Sequence, residues 1–262
     1  MKTGDTHLQS VQRVAALLRL LAANNRTGLR LVDFLRAIDV ERSTCHRLLQ
    51  SLVAERMVMQ DKETKRYFLG MAIYEMGVAV PALHLRDICQ PYLSSVATRT
   101  GDTVFLAVRS QFDGVCIDRK EGSFPIAYVQ EAGRRRPLTV GAGNLAILSA
   151  LDDGEIARVC EENRERVQKK YPLYTQDQVL CRISHGKRLG YIFTDVLERA
   201  GIKALGMPVK DAHGKPLAAI SLSALNTRWT DQKLVEVIDI LKETTAALEE
   251  ELARIPLPSS IF

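Results

Sequence analysis

The apolar residues of the first seventy positions run through three helical stretches and then a hairpin, and that order constrains the fold more than any other feature. Val11, Val14, Leu18 and Leu21 recur at helical spacing, with Ala15 and Leu17 beside them, and Ser10 is placed to cap the helix they define. Asn24, Asn25, Arg26, Thr27 and Gly28 end it, since Asn and Gly accept the backbone angles of a turn. Leu31, Phe34, Leu35 and Ile38 mark a second short helix over 29–37. Ile38, Asp39 and Val40 form a tight connection to a third helix over 42–55, which buries Leu48, Leu49, Leu52 and Val53. Val58, Met59 and Gln60, then Arg66, Tyr67, Phe68 and Leu69, flank a charged turn at 61–65 and read as a β-hairpin. Two short helices, a tight turn and a third helix make a helix-turn-helix, and the hairpin adds the wing.

Charge follows the same division. The 262 residues carry a formal net charge of +5. The first 70 hold twelve Lys and Arg against seven Asp and Glu, so the whole excess sits there and the rest is neutral overall. A basic first domain on a neutral second one points to a polyanion as partner of the first. The third helix has chemistry to match. Arg42, Ser43, Thr44, His46 and Arg47 lie in its first turns, the part of a recognition helix that meets base edges. Arginine pairs bidentately with guanine, and Ser or Thr reach bases or phosphates. Lys62, Lys65 and Arg66 at the wing suit phosphate contacts, which position a protein without reading sequence. The competing reading is a small helical domain whose basic face is merely solvated and which serves association.

Length sets the expected number of domains at two, and 46% hydrophobic with 26% charged residues is ordinary globular composition. No apolar run approaches the roughly 18 residues of a membrane-spanning helix. Residues 1–10 are polar, unlike a signal peptide, so a soluble cytoplasmic protein is expected. Cys45, Cys89, Cys116, Cys160 and Cys181 are odd in number and widely spaced, which argues against a disulfide framework or a zinc site. No metal or cofactor is expected.

Beyond the hairpin, Ala72, Ile73, Met76, Val80 and Leu83 define a linker helix over 71–83. A helix over 85–98 follows, starting or bending at Pro91. Strands are expected at 103–108, 115–117 and 126–129, helices at 143–151, 153–167 and 175–188, strands at 203–209 and 216–223, and a last helix at 230–253. That order is α+β. Along 217–223, Ala218, Ile220 and Leu222 share one strand face, and Ala219, Ser221 and Ser223 the other. Two hydroxyls beside a small residue suit the oxygens of a polar ligand, with Ala204 and Gly206 leaving space on a neighbouring strand. The alternative is that both serines face solvent, as half of an antiparallel sheet often does. Gly141, Ala142 and Gly143 precede a helix whose free N–H groups favour a carboxylate.

With these residues in view, the sequence resembles the IclR family of regulators. Ser43, Thr44, Arg47, Leu48, Leu49 and Leu52 match the family's recognition-helix pattern S-T-x-x-R-L-L-x-x-L, and Tyr67, Leu69 and Gly70 match the Y-x-L-G that closes its wing. Arg136, Pro137 and Leu138, followed by Gly141, Ala142 and Gly143, resemble its P-L-(H-A-T)-A-x-G-K-A segment. The stretch from Gly201 through Pro208 to Ser223 resembles its final ligand-domain strands. The likeness covers about residues 8–250. Thr139 replaces His and Asn144 replaces Lys, and the position that is small or Cys in the family is Ala204 here.

The resemblance implies a winged helix-turn-helix over 1–70, a linker helix over 71–83 and a GAF-like effector domain over 84–262, with helices on one side of an antiparallel sheet and a pocket on the other. It places Ser221, Ser223, Ala204 and the region of Thr194 and Asp195 at the effector pocket, alongside Gly141, Ala142 and Gly143. It implies a regulator, more often a repressor, that binds a pseudo-palindromic double-stranded operator as a homodimer or dimer of dimers and responds to a small organic acid. Two other classes are open to the residues. One is a hydrolase-like enzyme using Cys181 and His185 with Asp195; no nucleophile elbow, Walker loop or zinc-protease motif accompanies it. The other is an effector-independent architectural DNA-binding protein.

Overall fold

A computed structural model describes residues 9–126 and 130–255, except for the side chains of 81–83. The chain divides into two units, Met1–Val80 and Pro81–Phe262.

The first unit contains α1 (Gln9–Asn24), α2 (Leu31–Ala37), α3 (Arg42–Ala54), the strands β1 (Val58–Gln60) and β2 (Tyr67–Leu69), and α4 (Met71–Val78). Ser10 lies inside α1 and does not cap it. The apolar stripes converge on one core of Leu17, Leu21, Phe34, Cys45, Leu49, Leu52, Val58 and Tyr67. Phe34 and Tyr67 meet edge to face at 6.0 Å, a favoured aromatic geometry. The second helix starts two residues later than its periodicity predicts. Leu29 is drawn instead into a β-bridge with Tyr67, its N–H and C=O both paired at 3.0 and 2.7 Å. Gly28 permits the turn before it: its φ is +65°, and a Cβ there would come within 2.5 Å of the Phe68 ring. The expected linker helix over 71–83 is interrupted. α4 ends at Val78 and a new helix starts at Pro81, because proline lacks the N–H that continues a helix and disfavours helical backbone in the residue before it.

The second unit is built on a six-stranded antiparallel sheet of order β5-β4-β3-β8-β7-β6. Its strands are β3 (Thr103–Ser110), β4 (Asp113–Lys120), β5 (Arg135–Pro137), β6 (Ile192–Asp195), β7 (Ile202–Lys210) and β8 (Pro216–Leu225). The helices are α5 (Pro81–Thr100), α6 (Ala142–Ser149), α7 (Asp153–Lys170), α8 (Gln176–Leu189) and α9 (Asp231–Leu252). α5 continues through Pro91. Alternation does not predict β5 and β6, which are too short for it to register. Of the strand expected at 126–129, residues 127–129 lie outside the described residues.

Strand alternation sorts this unit into two cores. Ala218, Ile220 and Leu222 face α5 and α9, joined by Leu106, Leu205, Leu93 and Leu241. Ala219 faces the other way, with Ala107, Ala204 and the wholly buried α6. Helices therefore cover both faces of the sheet, rather than one face opposite an open pocket. The reason lies in α6, every residue of which is buried and which packs on β3, β7 and β8. Two glycines bring it close. A Cβ on Gly206 would come within 2.5 Å of the Ala142 carbonyl oxygen, and one on Gly143 within 2.9 Å of the Ser221 hydroxyl.

Candidate nucleic-acid interface and ligand cavity

The spacing that buries one face of α3 exposes the other. Cys45, Leu49 and Leu52 point into the core, so Arg42, Ser43, His46 and Arg47 stand on the solvent side, with Thr44 half-buried at the edge. The helix begins after Glu41 without a side-chain cap among the described residues, so its first N–H groups and its positive dipole end are presented with the arginines. An open depression at this end is lined by Leu31, Glu41, Arg42, Ser43 and His46.

The wing is held by one carboxylate. Asp61 Oδ1 accepts hydrogen bonds from the backbone N–H of Thr64 at 2.6 Å, the Thr64 hydroxyl at 2.7 Å and the N–H of Glu63 at 3.1 Å. The Thr64 backbone bond, then the Thr64 hydroxyl, hold this carboxyl below its usual pKa. Lys65 sits in the left-handed region at φ +58°, and both Lys62 and Lys65 are exposed. Arg66, expected at the phosphates, is also engaged within the unit. Its Nη1 donates to the carbonyls of Gly28 at 2.9 Å and Thr27 at 3.3 Å, tying the wing to the turn after α1. Sequence reasoning missed this because the two groups lie 38 and 39 residues apart.

In the second unit a cavity of about 30 Å³ lies between the start of α6 and the sheet. Gly141, Ala142, Gly143, Ala204, Ser221 and Ser223 all line it. Register explains why. Ser221 stands between Phe105 on β3 and Gly206 on β7, and Ser223 between Thr103 and Ala204, so all project to the α6 side. Asp195 is not among the lining residues. It is exposed, and Val196 takes the place expected for it. The parity of β6 is the cause: Ile192, Thr194 and Val196 point inward, leaving Phe193 and Asp195 on the opposite face.

Phe105, Gln130, Arg136 and Asn144 also line the cavity, and the sequence pattern does not mark them as ligand-binding residues. Gln130 Nε2 is a buried donor without a partner among the described residues. Arg136 Nη1 donates to Glu198 Oε1 at 3.3 Å, which fixes a cation at the wall. Asn144, where the family has Lys, is buried and donates to the carbonyls of Pro137 and Val140 at 3.2 and 3.0 Å. It closes the turn before α6 and does not add a charge. Gly141, φ +93°, stands at the N-cap of α6, again without a side-chain cap among the described residues. Two hydroxyls, a free amide donor, a guanidinium and a helix N-terminus thus converge on one small space, a set that favours an anionic or oxygen-rich ligand. At its present volume the cavity has room for one or two waters, so a larger ligand must displace part of the wall.

The catalytic alternative finds little support in the geometry. Cys181 Sγ and His185 Nδ1 are 3.9 Å apart on the exposed face of α8. Asp195 lies at the end of a strand, paired in register with Lys203. Among the described residues no group of three or more His, Cys, Asp or Glu is arranged to hold a metal ion.

Comparison with known families settles the relationship. Residues 10–62 match the IclR helix-turn-helix domain, and residues 77–250 match the bacterial transcriptional regulator IclR C-terminal domain. The chain belongs to the IclR family. As an IclR-family protein it is a DNA-binding transcription regulator and not an enzyme. Among its IclR-family relatives, the HTH-type transcriptional regulator XynR of Escherichia coli K12 is 26% identical over 246 residues, covering 94% of this chain and 97% of XynR. The HTH-type transcriptional repressor AllR of the same strain is 24% identical over 247 residues, covering 93% and 90%. An IclR homolog from Microbacterium hydrocarbonoxydans, solved in complex with 4-hydroxybenzoate, shares the fold with a TM-score of 0.79 at 20% identity, covering 94% of this chain and all of that one.

Proposed function

We propose that this IclR-family chain is a repressor that binds a pseudo-palindromic operator as a homodimer or dimer of dimers, and that a small organic acid in the α6 cavity alters its operator affinity. In this reading Arg42, Ser43, Thr44, His46 and Arg47 meet the major groove, and Lys62 and Lys65 meet phosphates. The observation that carries the effector class is the convergence of Ser221, Ser223, Gln130, Arg136 and the uncapped start of α6 on one cavity. Arg136 supplies the charge for a carboxylate, and Phe105 and Val196 supply apolar wall. The relative from Microbacterium, complexed with an aromatic acid, supports the class without naming the compound. Repression follows the relatives named AllR.

Dimerisation is supported by α4. Met71 and Tyr74 are 67% and 68% exposed, Met76 and Val78 are exposed as well, and the helix has no buried residue among those described. So apolar a helix in water is unfavourable unless it is covered, and a second copy of the same helix is the occupant proposed. A GAF-like sensing role and a cytoplasmic location belong to the same reading; among the described residues no helix is long and apolar enough to cross a membrane.

The test is a gel-shift titration on the DNA upstream of the protein's own gene, at two salt concentrations, with random DNA as competitor. Specific retention that survives the competitor, and that shifts with 4-hydroxybenzoate or another small carboxylate, is the expected result. Arg136→Gln and Ser221→Ala should raise the acid concentration required while leaving operator affinity unchanged. Equal binding to random DNA, or acid responses identical in wild type and both variants, would refute the operator and cavity assignments respectively.

A further inference from the structure

The turn between β5 and α6 contributes to two cavities. Val140 and Gly141 line the effector cavity, while Thr139 lines a separate one of about 340 Å³ beside α7 and α8. That volume is at the lower end of the range of ordinary small-molecule sites, about 300–1,000 Å³. Its apolar wall is Cys160, Val167, Pro172, Tyr174 and Val179.

One polar atom there is unaccounted for. Thr139 is only 4% exposed, and among the described residues its Oγ1 has no hydrogen-bond partner. A hydroxyl withdrawn from water and left unpaired costs free energy, and a ligand oxygen in the cavity would remove that cost. Several other polar groups around it are already engaged. Asn163 Nδ2 donates to the Phe112 carbonyl at 2.8 Å, and its Oδ1 accepts from Arg166 Nε at 2.5 Å. The Thr175 hydroxyl caps α8, and Arg164, exposed, pairs with Glu161 at 2.8 Å. No Asp or Glu lines the cavity among the described residues. The walls therefore offer apolar surface, one aromatic ring and, among the described residues, one buried hydroxyl without a partner, with the exposed amides of Gln168 and Gln176 at the solvent side and no buried charge to select an ion.

We propose that this cavity is a second small-molecule site, distinct from the effector cavity, that takes a neutral, mainly apolar molecule through one oxygen hydrogen-bonded to Thr139 Oγ1. Departure from the family pattern at this position, Thr for His, gives the chain a short neutral anchor here. The site shares the 139–141 turn with the effector cavity. It is joined to it a second way, since Tyr174 Oη on its wall donates at 2.5 Å to Glu198, the carboxylate that also accepts from Arg136. The proposal does not depend on the identity of the effector or the operator.

The experiment is a methyl NMR titration of the full chain with 4-methylphenol and, separately, toluene. Val167 and Val179 report on this cavity and Val140 on the other. The expected result is a saturable shift at Val167 and Val179 with both probes, with toluene about five-fold weaker because it cannot make the hydrogen bond. Thr139→Val, close in shape, should abolish that five-fold preference while leaving toluene binding intact. Val179→Phe, which narrows the cavity, should weaken both probes. Absence of a saturable shift at Val167 and Val179, a shift confined to Val140, or equal binding of the two probes to wild type would overturn the proposal. The wild-type comparison decides the matter even if either variant fails to fold.

Discussion

Replacing Gly206 with Ala tests how tightly α6 is seated on the sheet. A Cβ at this position would lie 2.5 Å from the Ala142 carbonyl oxygen, 2.6 Å from its carbon and 2.8 Å from the Gly143 nitrogen. All three are backbone atoms, so no side chain can rotate out of the way. Restoring an ordinary contact of about 3.4 Å requires the start of α6 to retreat from β7 by roughly 0.9 Å. Overpacking of this kind costs about 1–3 kcal/mol. In a unit of this size each kcal/mol lowers Tm by roughly 2–4 °C, so a fall of roughly 2–12 °C is expected in calorimetry. The same displacement exceeds the roughly 0.5 Å tolerance of a preorganised site, so acid binding should weaken as well. Gly190→Ala is the control. Its φ is +80° but open space surrounds it, so it carries backbone strain of about 1–2 kcal/mol without any clash near the cavity. A Gly206→Ala protein with unchanged Tm and unchanged acid titration would show that α6 is not seated as described, and the cavity geometry would fall with it.

Three further outcomes are expected. Arg47→Ala should reduce operator binding more than binding to random DNA, whereas Lys65→Ala should weaken both alike and lower the slope of log affinity against log salt by about 1; the reverse pattern would exchange their roles. Arg66→Met should lower the thermal stability of the first unit by about 1 kcal/mol through its lost bonds to Thr27 and Gly28, with a nearly unchanged salt slope; a drop in that slope equal to Lys65→Ala would place Arg66 on the phosphates instead. Because the folded-state pKa of Asp61 is depressed, its support of the wing is present above the ordinary carboxylate range and is lost as pH falls through the folded value. The Thr64 amide resonance should therefore titrate below the pH at which a free Asp does, and a midpoint at or above about 3.9 would contradict the hydrogen-bonding described.

Much of this architecture is visible in local pattern. The spacing of Val14, Leu18 and Leu21, and of Leu49 and Leu52, defines helices with one buried face, and that in turn exposes Arg42, Ser43, His46 and Arg47. Alternation along β8 separates Ser221 and Ser223 from Ile220 and Leu222, but the pattern does not say which face is closed. Ser10 fails as a cap because α1 already includes Gln9, and periodicity does not fix a helix boundary to the residue. Asp195 fails for a sharper reason: in a short strand an error of one residue reverses the face.

Local sequence therefore determined the period, length and polarity of the elements and where the positive charge lies. Tertiary structure alone decided that Gly206 and Gly143 admit α6 onto the sheet, that Arg136 and Gln130 join the serines, that Arg66 reaches back to Gly28, and that Thr139 is buried with its hydroxyl unpaired among the described residues. Periodicity is set by neighbours three or four residues away along a helix and two along a strand. A cavity is set by where separate elements stop approaching one another, and that depends on the close packing of side chains dozens of residues apart.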